Sequence, residues 1–97
     1  MLTLSKQYDF NNPPTVGKAY IVRRTDNLDA IVLWPKPSPG AGWKRYLCGQ
    51  PCLVIELLMD QGAGILWARV ALSDGTFLWL ALAEPGPSEP HTFLEEP

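Results

Sequence analysis

Cys48 and Cys52, in the segment "CGQPC", are the residue types in this chain best suited to redox or metal chemistry. Their spacing is C-x3-C, whereas redox and zinc-knuckle motifs use C-x2-C. A structural zinc site takes four cysteine or histidine ligands. The chain offers two cysteines and a single histidine, His91, which lies far along in a proline- and glutamate-rich segment. A disulfide across the Gly49–Pro51 bend is geometrically conceivable but unusual inside a cell. Two small buried thiols are therefore expected, with no metal and no cofactor.

Catalytic chemistry finds as little support. His91 follows Pro90 with no fixed partner in view, which makes it a poor general base. Ser73 and Asp74 sit in a turn, where both residue types serve local hydrogen bonding. "GAGWK" (Gly40–Lys44) lacks the G-x4-G-K-[ST] spacing of a phosphate loop. No carboxylates are paired at a spacing suited to acid–base work. The sequence reads as that of a protein that is not an enzyme.

Recognition chemistry is better represented. "WKRY" (Trp43–Tyr46), taken with Arg23 and Arg24, mixes cations with aromatic rings, a combination that can stack bases and track phosphates. Arg23, Arg24, Lys44, Arg45 and Tyr46 are thus candidate nucleic-acid contacts. The overall charge of −2 opposes strong non-specific binding of that kind. The second cluster is "ILWARVALSDGTFLWLAL", Ile65 to Leu82. Tryptophan and arginine are enriched at interface hot spots. Trp67, Arg69, Phe77 and Trp79, joined by Trp34 and Trp43, form a candidate partner-binding set.

These side chains need elements to hold them. "SDG" between two apolar runs marks a hairpin, because glycine accepts the positive φ such turns demand. In its first arm Leu66, Ala68, Val70 and Leu72 share one face, and Ile65, Trp67, Arg69 and Ala71 the other. Arginine is almost never buried without a partner, so the Trp67–Arg69 face is expected nearer water. A three-residue Ser73–Gly75 loop pairs Leu72 with Thr76 and sends Leu78, Leu80 and Leu82 to the aliphatic side. Phe77, Trp79 and Ala81 then join Trp67 and Arg69. A two-residue Asp74–Gly75 turn would reverse the second arm, burying Trp79 and leaving three leucines beside Arg69. The first register is preferred because it gathers the aliphatic residues together.

Other runs rich in branched residues predict strands over 18–24, 30–34 and 52–59, alongside 65–72 and 77–82. In "CLVIELLM" a strand puts Leu53, Ile55 and Leu57 on one side and Glu56 on the other. "NNPP", "PKPSPGAG" and "MDQGAG" are breaks between elements. Residues 1–15 read as an N-terminal arm, 16–85 as one small β domain, and 86–97 as an acidic tail unable to order itself alone.

Composition sets the outer bounds. Ninety-seven residues suit one domain with one small core. At 46% apolar and 19% charged, the chain is too apolar for disorder throughout and too polar for a membrane span. The longest uncharged apolar run, Phe77 to Ala83, is far short of the ~20 residues a spanning helix needs. A soluble cytoplasmic protein, with no membrane partner, is expected. Charge is uneven: seven of the eight basic residues lie within 1–46, and seven of the ten acidic ones within 47–97.

The order and spacing of these segments resemble the Src-homology-3-like small barrel. The resemblance runs from Val16 to Pro85: a first strand "GKAYIVRR", a polar loop "TDNLD", a second strand "AIVLW", a long loop ending in "CGQPCLVIE", and the final hairpin leading into "AEP". It implies an all-β, five-stranded barrel. In relatives that bind proline-rich peptides, a tryptophan near the start of the fourth strand lies against the ligand, and Trp67 is similarly placed. The "ALYDY" opening of those relatives is missing, and "TDNLD" holds only Asp26 and Asp29. Only an aromatic-lined face carries over. The expected function is a non-catalytic protein-interaction module, an accessory or assembly subunit or a self-associating protein. A nucleic-acid-binding barrel and a structural component of a large assembly such as a virion are the alternatives.

Overall fold

Alternating branched and polar residues give strands throughout the computed structural model. It describes residues 7–25, 30–38, 42–62, 64–82 and 92–97, with the side chains of 43–46 left out. The elements in chain order are β1 (Gln7–Tyr8), β2 (Ala19–Arg24), β3 (Ala30–Leu33), β4 (Trp43–Tyr46), β5 (Pro51–Asp60), β6 (Ile65–Leu72), β7 (Phe77–Ala81) and β8 (Thr92–Glu95). No helix occurs among the described residues, so none is long and apolar enough to cross a membrane. The "TDNLD" positions 26–29, positions 39–41 of the 35–42 loop, positions 83–90 and His91 lie outside the described residues.

Six strands form one antiparallel sheet in the order β1-β8-β2-β5-β6-β7, and β3 pairs with β4 in a separate hairpin. The hairpin joins the sheet's far edge at one point. Trp34 donates its N–H to the Trp79 carbonyl at 2.9 Å and accepts the Trp79 N–H at 2.7 Å. The sheet is open rather than closed on itself.

The β6–β7 turn adopts the register expected from its aliphatic residues. Ala71 stands opposite Phe77 and Val70 opposite Leu78, and Leu72 donates to the Thr76 carbonyl at 2.9 Å. Gly75, at φ +86°, takes the left-handed conformation that closes this three-residue loop. Leu66, Ala68, Val70 and Leu72 therefore share the core with Leu78, Leu80 and Leu82. Tyr8 of β1, Tyr20 and Val22 of β2, Ile31 and Leu33 of β3, Cys52 and Val54 of β5, and Leu94 of β8 complete it.

Two expectations are corrected here. The stretch assigned to an arm and the one assigned to a tail both contribute strands. β8 lies between β1 and β2, with Leu94 opposite both Val22 and Tyr8. Leu94 is fully buried. Residues 92–95 of that stretch find backbone partners on the edge of β2 and a seat for Leu94 in the core, which the composition of the tail does not reveal. The Tyr8 hydroxyl donates to Glu96 at 2.6 Å, tying β1 to the residue just after β8. That bond, aided by burial, pushes the Tyr8 pKa up to about 12.

The second correction concerns β5. A bulge between Val54 and Glu56 inserts one extra residue, which resets the alternation of faces. Leu53 and Glu56 thus lie on the same outer face, and Leu57 turns toward the core. The bulge keeps the Glu56 carboxylate in water, where unbroken alternation from Val54 would bury it.

Candidate interaction face

Side chains directly opposite in an antiparallel sheet lie on the same face, so the register lays out the outer face in rows. The first is Leu53–Ala71–Phe77, the second Glu56–Arg69–Trp79, and the third Leu58–Trp67–Ala81. Every outer-face residue of β6 and β7 expected in the partner-binding set occupies these rows. Their surroundings divide them.

Trp67 and Ala81 of the third row and Trp79 of the second are covered, while Leu58, at the β5 end of the third row, is exposed. Trp67 is 1% exposed and Trp79 9%, in a small second core with Ile65 and Ala81 against which Trp34 packs. The Trp34 ring meets the Trp67 ring edge-on, at 5.2 Å and 85°. The expectation that Trp67 and Trp79 lie nearer water is thereby corrected. The register puts both on the outer face as expected, but the segment after β3 folds back over them, with Trp34 packed against the cluster that holds both rings. Gly42 makes room for this cover, since a β-carbon there would collide with Val32 and crowd Trp34. The Trp67 indole N–H, though buried, finds no acceptor among the described residues.

The first row is open. Phe77 is 54% exposed and Leu53 40%, and half-buried Ala71 lies between them. Ala19 extends the row onto β2, opposite Leu53, and Pro51 borders the same shallow apolar depression. Arg69 marks the boundary between the two regions. Its guanidinium lies 5.6 Å from the Phe77 ring centre and 3.9 Å from the Glu56 carboxylate. Both charged groups are about half exposed, where such a pair adds little stability. They leave a polar edge beside an apolar strip.

The basic cluster is differently placed. Arg23 lies 3.5 Å from Glu95 of β8, and Arg24 donates to the Ala30 carbonyl. Both arginines are thus tied to neighbouring strands. Trp43, Lys44, Arg45 and Tyr46 form β4, opposite Leu33, Val32, Ile31 and Ala30, and their side chains lie outside the description. Cys48 and Cys52 are free thiols. Burial pushes the Cys52 thiol up to about 12, which suits a packing residue and opposes thiolate chemistry.

Sequence reasoning missed Leu53 and Leu58. Simple alternation groups Leu53 with Leu57, and the bulge that instead puts it beside Glu56 has no signature in "CLVIELLM". The chain matches no family model, no curated protein and no solved structure. The class defined by fold and face is a small all-β domain with a partly sealed aromatic surface.

Proposed function

We propose that this chain is a non-catalytic protein-interaction module, an accessory or assembly subunit of a larger complex or a self-associating protein, built as a Src-homology-3-like small barrel. What supports the all-β part of that reading is the strand content: the five runs that the resemblance matched to barrel strands coincide with β2, β3, β5, β6 and β7.

One observation carries the interaction reading: the strip Leu53–Ala71–Phe77 is apolar, exposed and laid across three adjacent strands. Contiguous apolar surface on a water-facing sheet marks partner sites. An arginine at its margin supplies the polar rim that interfaces use. The test compares the full chain with Phe77→Asp and Leu53→Asp by sizing with mass detection and by capture of the native complex. A charge at either position is expected to abolish assembly while leaving the unfolding midpoint nearly unchanged. Assembly that persists in both variants would contradict the proposal.

A further inference from the structure

The open row crosses four adjacent strands. Ala19 of β2 stands opposite Leu53, Leu53 opposite Ala71, and Ala71 opposite Phe77. Its side chains alternate in size, small at Ala19 and Ala71 and large at Leu53 and Phe77, which gives the line hollows and ridges that a facing layer can interdigitate with. Reversed end to end, the line sets a large residue over a small one at every position: Phe77 over Ala19, and Leu53 over Ala71. The neighbouring row has the same symmetry in charge. Glu56 of β5 stands opposite Arg69 of β6, with side chains 54% and 43% exposed. Reversal about the same line, midway between β5 and β6, sets Glu56 over Arg69 and Arg69 over Glu56.

A twofold axis running along the strands, midway between β5 and β6, performs that reversal. Resting on the interaction reading above, we infer that the outer face is the interface of a symmetric homodimer, with a second copy of this chain as the occupant of the open row. A twofold interface uses one patch twice, so the patch must complement itself. Here size and charge do so about a single axis, and different residues in different rows set them. An axis along β5 or β6 would stack Glu56 on Glu56 or Arg69 on Arg69. Sheets packed face to face with nearly aligned strands lie about 10 Å apart, close enough for the ridges of one to enter the hollows of the other. In the third row the same axis lays the aromatic cover over Trp67 against Leu58 of the second copy, a residue that the single chain leaves exposed. The patch is small and the dimer correspondingly weak, with a Kd of about 100 µM, so it is dissociated at the roughly 1 µM at which unfolding is measured.

The test follows the mass of the full chain by sedimentation over a concentration series reaching about 1 mM. The parent chain is expected to dimerise. Glu56→Arg and Arg69→Glu, each alone, set like charges against each other and are expected to weaken the dimer about tenfold or more. Mixed in equal amounts, the two variants set a doubly basic row against a doubly acidic one, and the heterodimer is expected to recover the parent affinity. Ala19→Phe and Phe77→Ala probe the hollows in the same way, each dimerising several-fold more weakly alone and recovering when mixed. Should the charge variants fail to fold, this second pair carries the same question. A parent chain that stays monomeric at about 1 mM, a dimer indifferent to charge reversal, or mixtures that associate no better than their components would each overturn the inference. The two proposals fail separately. A monomeric chain whose native complex is still lost in Phe77→Asp docks a different protein on the strip, which overturns the dimer and leaves the interaction reading standing. A dimer and a complex that both survive Phe77→Asp overturn both.

Discussion

Trp67 and Phe77 occupy the same face of the same hairpin, yet one is 1% exposed and the other 54%. Residue type does not separate them, since both are large aromatic rings opposite an alanine, Ala81 for Trp67 and Ala71 for Phe77. What separates them is the chain segment after β3, which reaches Trp79 and stops. Where Trp34 sits, the outer face becomes a second core; where Pro35 turns the segment away, the face stays open. One half of the surface therefore contributes to stability, and the other is available for binding.

The largest expected effect lies in the sealed half. Trp67→Ala should cost about 3–5 kcal/mol, the range for emptying a buried aromatic site, measured by denaturant unfolding. Phe77→Ala at the open end should change little in the same assay. Similar losses at both positions would erase the distinction.

The core beneath the open half can be probed with pH. Cys52 lies behind this region, opposite Leu72, with its thiol raised from an ordinary 9.0 to about 12 by burial. The native state keeps this proton where the unfolded chain has lost it. Stability is complete below about pH 9 and falls as pH rises toward 12, by up to ~1.4 kcal/mol per unit. Tyr8, raised from 10.0 to about 12, adds to the same decline above pH 10. Cys52→Ala should remove the part that begins near pH 9, as followed by unfolding midpoints across that range.

A smaller effect measures the cover itself. A double-mutant cycle on Trp34 and Trp67 should give a coupling of about 0.5–1.5 kcal/mol, typical of edge-on aromatic pairs. A coupling near zero would mean that Trp34 does not hold the layer shut. The smallest expected change is the stability of Phe77→Asp, within about 0.5 kcal/mol of the parent as for other exposed positions.

Much of this arrangement was legible in the sequence. The five longer runs are strands, and the β6–β7 register followed from asking which turn gathers the leucines. The arginine at position 69 showed which face of the hairpin is the outer one. Three things were not legible. The short strands β1, β4 and β8 exist because a neighbouring edge accepts them, and "QY", "WKRY" and "TFLE" carry no apolar block like the "AIVL" that marks β3. The bulge in β5 replaces a pattern that simple alternation fits equally well. Finally, Trp34 reaches Trp67 across thirty-three positions of chain, and no local pattern reveals that a loop will fold back over a face. Sequence spacing assigns a residue to a face; only tertiary packing decides whether that face meets water.

The division of the outer face is tested most directly by hydrogen exchange of the individual tryptophan indole protons, followed by NMR. The Trp67 N–H is expected to exchange only through opening of the aromatic layer, and Trp34→Ala should accelerate it markedly. Exchange of the Trp67 proton at the rate of a fully exposed indole in the unmodified chain would show that the layer is not sealed, and the contrast between the two halves would collapse.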